Sequence, residues 1–187
     1  MQLKMRLAVL SIALYLGACL QNNDRTEAKR AVASEDSRTE TSINIHVDIL
    51  DQAKWQEIKE YNKGKIIFVN AWATWCLPCK EEFPDLVKLA ENYQDSDVVI
   101  IGISVDYPDE IETKIAPFLK SQVATFPNYV QNFKDPAELI DMFNEKWRGA
   151  VPATFIYDKK GIQKAFLLGK QSYQTFKKVI EQIRNAG

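Results

Sequence analysis

The sequence predicts an α/β domain in which helices flank a central mixed β-sheet. Three observations carry that expectation. Two short, near-continuous apolar runs, Lys65–Ala71 (KIIFVNA) and Val98–Val105 (VVIIGISV), read as strands buried on both faces. A stretch with apolar residues at helical spacing lies between them. Near the C-terminus, Thr154–Tyr157 and Gln163–Leu168 are joined at Asp158–Gly161, a hairpin signal. A βαβ unit followed by a hairpin and a helix gives a mixed sheet.

Taken in order, Ile43–Asp48 reads as a short edge strand and Leu50–Tyr61 as a helix, with apolar residues at Leu50, Ala53 and Ile58. The strand Lys65–Ala71 follows. A helix should start after Cys76, with Phe83, Leu86, Val87, Ala90 and Tyr93 on one face. Val98–Val105 is the next strand. Glu110–Lys120 reads as a helix interrupted by Pro117, because proline has no N–H to donate. Phe126–Val130 is a short strand and Ala137–Phe143 a short helix. After the hairpin, Tyr173, Phe176, Val179, Ile180 and Ile183 mark an amphipathic C-terminal helix.

The composition is that of an ordinary globular chain: 187 residues, 46% hydrophobic and 26% charged, with 7 Gly and 7 Pro. Four Trp, seven Tyr and nine Phe can close a normal core, so disorder of the whole chain is excluded. A net charge of −1 gives no electrostatic case for nucleic-acid binding. A single histidine, His46, excludes multi-histidine metal sites. Any scheme needing a histidine base would depend on that residue alone. No cofactor is expected.

The first eighteen residues read as an export signal. Lys4 and Arg6 precede an apolar run of ten, Leu7 to Leu16, which is too short to span a bilayer. Leu16-Gly17-Ala18-Cys19 resembles a bacterial lipobox, in which the signal is cut before a cysteine that becomes lipidated. Cys19 is the expected lipidation site, and the membrane is an expected partner through that anchor. With Cys19 so used, Cys76 and Cys79 remain as an even pair. Residues 20–42 hold nine charged residues and no aromatic, and are expected to form a flexible tether. The folded domain is then expected to cover 43–187.

The chemistry sits at Cys76-Leu77-Pro78-Cys79. A structural zinc site needs four ligands, and no second cysteine pair exists. A haem attachment needs His directly after the second cysteine, where Lys80 stands. A purely structural disulfide fits an exported protein, but its tiny loop would constrain little unfolded-state entropy. The remaining reading is reversible thiol–disulfide exchange. At a helix N-terminus, unpaired N–H groups and the helix dipole favour a thiolate on Cys76, the expected nucleophile. Cys79, one turn on, lies within reach to resolve a mixed disulfide. Pro78 in the first turn lacks an N–H that would have no partner there.

The segment Phe68–Pro84 (FVNAWATWCLPCKEEFP) resembles the active-site strand and helix of thioredoxin-fold proteins. Its W-A-T-W-C-x-P-C form is similar to the TlpA/ResA-like branch of membrane-tethered thiol:disulfide oxidoreductases. Val151-Pro152-Ala153-Thr154-Phe155 matches that family's second landmark, the cis-proline loop. The resemblance implies a thioredoxin-like fold with a central insertion, here within residues 106–150. It implies that Pro152 is cis and faces the cysteine pair, and that Val151 offers backbone groups to an extended peptide substrate. Trp75 would shape the docking rim. Thioredoxins carry a buried Asp where this chain has Asn70, which cannot take a proton. Glu82 matches an acidic residue of the TlpA/ResA-like branch and is the expected proton acceptor for Cys79, its pKa raised if buried. Tyr107, Tyr129, Phe133, Phe143 and Trp147 of the 106–150 segment are expected to pack in the core and along a surface groove, the segment being a place for substrate selectivity, whereas Trp72 is expected to pack structurally and His46 to take no part.

These readings converge on a lipid-anchored thiol:disulfide oxidoreductase outside the cytoplasm, facing the periplasm or extracytoplasmic space. Strong oxidases of the fold carry a His between the cysteines; Leu77-Pro78 supplies no such charge, so a reductase is expected. Its partners would be protein disulfide substrates and a membrane thiol electron donor. A redox-inactive binding lipoprotein of the same fold is the alternative. A peroxidase is disfavoured because the P-x-x-x-T-x-x-C pattern is absent, with Thr74 only two residues before Cys76.

Overall fold

A computed structural model describes residues 45–186. The expected signal, Cys19 and the tether of 20–42 lie outside the described residues. Six strands form one sheet in the order β1-β4-β3-β2-β5-β6. The strands are β1 (Val47–Leu50), β2 (Ile66–Trp72), β3 (Val98–Ser104), β4 (Asn128–Gln131), β5 (Ala153–Tyr157) and β6 (Gln163–Leu168). β1, β4, β3 and β2 run parallel, while β5 and β6 run antiparallel to their neighbours. The helices are α1 (Gln52–Tyr61), α2 (Leu77–Tyr93), α3 (Ala116–Ser121), α4 (Pro136–Phe143) and α5 (Tyr173–Ala186). The sheet is mixed and helix-flanked, the expected fold class.

β2 is central and buried throughout, as its unbroken apolar run predicts. Its pleat divides the core in two. Ile66, Phe68 and Trp72 face one side with Phe83, Leu86 and Leu89 of α2, Leu119 of α3, and Phe176 and Ile180 of α5. Ile67, Val69 and Ala71 face the other side with Trp55 and Ile58 of α1 and Leu139 and Phe143 of α4. The same parity puts Asn70 on the α2 face. Asn70 stands opposite Thr154 of β5 and Gly102 of β3, and Gly102 stands opposite Asn128 of β4. A layer of polar and small residues therefore crosses the sheet inside an apolar core. Gly102 has to be small, since a Cβ there would lie 2.1 Å from Asn128 Oδ1 and 3.1 Å from Trp72 Nε1.

The first strand and helix differ from the sequence expectation at their edges. Pairing with β4 from Val47↔Asn128 to Leu50↔Gln131 sets the strand, so it begins four residues later than Ile43. The helix starts after Asp51, whose side chain caps it by accepting from Lys54 N at 2.7 Å. Glu110–Lys120 is not one helix broken by proline. A 3₁₀ turn (Pro108–Glu110) leads into a wide turn (Ile111–Ile115), and Pro117 enters at the start of α3. There, in the first turn of α3, its missing N–H breaks no hydrogen bond of that helix.

Candidate active site

Cys76 and Cys79 are joined by a disulfide, with Cα atoms 5.3 Å apart. Cys76 is the residue that caps α2, in extended conformation, and its Sγ accepts from Cys79 N at 3.1 Å. The sulfur thus occupies the anion-favouring end of a 17-residue helix. Both cysteines are buried, while Trp75 (68% exposed) and Leu77 (65%) flank them in the open. Tyr107 is also exposed, at 67%.

The Val151–Pro152 peptide bond is cis. The Val151 carbonyl oxygen lies 3.5 Å from Cys76 Sγ. In the disulfide this is a packing contact, since the oxidised sulfur carries no hydrogen. Pro152 is tied to the β5–β6 hairpin through its carbonyl, which accepts from Gly169 N at 2.8 Å.

Glu82 is 1% exposed, on the same face of α2 as Cys79. Its Oε1 accepts from Asn70 Nδ2 at 2.8 Å, and its Oε2 accepts from Gln171 N. Asn70 Nδ2 also donates to Thr154 Oγ1 at 3.0 Å. Burial pushes the Glu82 carboxyl up to about 7; the Gln171 and Asn70 hydrogen bonds oppose the rise, Asp85 adds to it and Lys170 subtracts. Lys170 itself pairs with Glu81 at 2.7 Å. The site therefore contains a carboxyl that changes charge near neutrality, in the turn after Cys79.

Sequence reasoning missed a second buried carboxylate, Asp106. It accepts from Thr74 N and Thr74 Oγ1, both at 2.8 Å, and from Ser104 Oγ at 2.6 Å. It thereby fixes the loop that leads into Cys76. The available signal was a lone acid at the end of an apolar strand, since the carboxyl ends of parallel strands are where sites form. Gln171 left no sequence signal, because only its backbone N–H is used. Trp72 packs edge-on to Phe83 at 5.0 Å, as expected of a core residue. Phe143 and Trp147 are likewise core, packed around Phe155. His46 pairs with Asp48 beside β1, on the sheet edge beyond β3 and β4.

Grooves of about 470 and 560 Å³ lie at the opposite end of β2, around Ile66, Ile67 and the Asp158–Gly161 turn, and none of Cys76, Cys79 or Glu82 lines them. Among the described residues no group of three or more His, Cys, Asp or Glu could hold a metal ion. No helix among them is long and apolar enough to cross a membrane.

Comparison with known proteins agrees with this geometry. Residues 43–165 match the model of the AhpC/TSA family. The chain is 25% identical over 180 residues to the thioredoxin-like protein YneN of Bacillus subtilis, spanning 96% of each chain. It is 28% identical over 186 residues to the thiol-disulfide oxidoreductase ResA of Geobacillus kaustophilus, spanning 98% of this chain and 97% of that one. Among solved structures, a DsbF homologue from Corynebacterium diphtheriae superposes with a TM-score of 0.56 at 32% identity, covering 66% of this chain and 75% of that one. A thiol:disulfide interchange protein of the thioredoxin family from Chlorobium tepidum gives a TM-score of 0.57 at 26% identity, covering 67% and 83%.

Proposed function

The chain belongs to the AhpC/TSA family, with a thioredoxin-like fold, and from that premise we propose that it is a thiol:disulfide oxidoreductase acting outside the cytoplasm as a reductase of protein disulfides. The observation that carries the reading is one arrangement: the Cys76–Cys79 pair at the start of α2, the cis Val151–Pro152 bond beside it and buried Glu82 one turn behind. The ResA-named relatives support the activity.

In the reduced enzyme the Cys76 thiolate, favoured by the helix terminus, attacks a substrate disulfide. A mixed disulfide forms and the first substrate thiolate leaves, taking a proton from water. Cys79 gives its proton to the Glu82 carboxylate and attacks Cys76 Sγ. The enzyme disulfide forms, the second substrate thiolate leaves, and two electrons have passed to the substrate. Trp75 supplies apolar docking area, and the backbone of Val151 beside cis Pro152 aligns the substrate strand. Thr74 takes no part in the chemistry, its hydroxyl being committed to Asp106. A membrane thiol donor returns the electrons, and lipidation at Cys19 holds the enzyme at that membrane.

The deciding experiment is the redox equilibrium of Cys76–Cys79 against glutathione. A potential below about −220 mV supports the reductase, and one near about −120 mV makes it an oxidase. A pair that cannot be cycled leaves a binding lipoprotein. The anchor is tested separately by Cys19→Ala, which should move the protein from the membrane to the soluble fraction.

A further inference from the structure

We propose that Asn70 is a positioning residue that serves Glu82 in both of its protonation states by turning its side-chain amide. The inference rests on the exchange role given to Glu82 above. Asn70 Nδ2 carries two hydrogens, and both are used, on Glu82 Oε1 at 2.8 Å and on Thr154 Oγ1 at 3.0 Å. Its Oδ1 is buried and finds no partner among the described residues. A buried acceptor left unpaired is costly and rare. Here it fits an ionised Glu82. A carboxylate only accepts, so the amide must present its donor end.

Protonation reverses the requirement. Glu82 Oε2 faces Gln171 N–H, which can only donate. The incoming proton therefore belongs on Oε1, where it meets Asn70 Nδ2–H, donor against donor. A half-turn about χ2 of Asn70 replaces Nδ2 with Oδ1. That oxygen has two lone pairs, which can take the acid O–H of Glu82 and the hydroxyl of Thr154. The unpaired end passes from Oδ1 to Nδ2, so one amide end is unpaired in either state and neither state is locked in. Asn70 can thus follow a proton that it cannot itself accept. An aspartate here would instead set a second titrating carboxyl against Glu82.

Other charges near Glu82 come from two sources: α2 carries Glu81 and Asp85, and the loop after β6 carries Lys170, which is paired with Glu81. β2 and β5 contribute only Asn70 and Thr154, which do not titrate. Of the groups bonded directly to Glu82, the amide is therefore the one able to adapt without changing its own charge.

The test follows the Asn70 side-chain NH₂ resonances and the Glu82 carboxyl carbon by NMR on the full chain, from pH 5 to 9. The amide should titrate with the Glu82 midpoint and lose its response in Glu82→Gln. Asn70→Leu removes a charge-assisted hydrogen bond from the carboxylate and a weaker neutral one from the acid, so it should raise the Glu82 midpoint by roughly half to one pH unit. An amide that ignores the Glu82 titration overturns the inference, as does an unmoved midpoint in Asn70→Leu. Neither readout needs turnover. A responsive amide in a protein whose cysteines cannot be cycled supports this inference while removing the exchange reading. A silent amide in an active exchanger overturns this inference alone.

Discussion

Asp106 holds Thr74 at two points, taking both its backbone N–H and its hydroxyl at 2.8 Å. The pair joins the end of β3 to the loop entering Cys76, 32 residues earlier in the chain. Cys76 is thus positioned from two sides, by its own helix and by the neighbouring strand.

Replacing that carboxylate by Asp106→Ala leaves the Thr74 N–H, the Thr74 hydroxyl and the Ser104 hydroxyl without their acceptor. The buried Ser104 hydroxyl left unpaired costs about 1–3 kcal/mol and the half-buried Thr74 donors less, so the variant should lose roughly 2–3 kcal/mol of stability. A urea unfolding midpoint unchanged from the parent would refute the role.

The proton-acceptor role proposed for Glu82 predicts a pH dependence of exchange. It accepts a proton only when ionised, so resolution by Cys79 should accelerate as pH rises through about 7. Glu82→Gln should slow resolution by about 100-fold and flatten the profile. Stopped-flow exchange rates identical to the parent between pH 5 and 9 would sink the assignment.

The same carboxyl makes folding pH-dependent with a definite sign. Its folded pKa, about 7, lies above its ordinary 4.5, so the native state binds the extra proton. Its stabilising contribution is complete below about 4.5 and is lost as pH rises through about 7. Glu82→Gln should remove this loss and gain about 3 kcal/mol over the parent at pH 8, with no such gain at pH 4. Denaturant titrations at the two pH values give the comparison.

Trp75 is 68% exposed, which fits the docking role proposed for it and leaves it little part in stability. Trp75→Ala should raise KM for a disulfide-bonded substrate by about tenfold, as expected for an aromatic contact residue, with Tm unchanged. A lowered Tm with unchanged KM would place it in the fold instead.

Much of this site was legible because its residues lie close together in sequence. Asn70 to Glu82 span one strand and one helix, and the C-x-x-C spacing with Glu82 three residues on places three groups on one helical face. β2 and β3 were readable because unbroken apolar runs have few other uses. The 111–121 stretch was not, since Pro117 can either interrupt a helix or begin one, and tertiary packing decides. Asp106 and Gln171 were illegible for a different reason. Their roles exist only once distant segments meet, and a backbone N–H leaves no mark on residue type.

Asn70 and Thr154 are 84 residues apart in the chain, yet they face each other across β2 and β5. A polypeptide synthesised N-terminus first delivers both cysteines long before the strand that completes their surroundings. Until β5 arrives, the dithiol has neither its cis-proline neighbour nor its polar layer, and Glu82 still lacks the Gln171 N–H. The two cysteines are therefore the last part of the site to gain their surroundings, and the arrangement described above exists only once nearly the whole chain has been made.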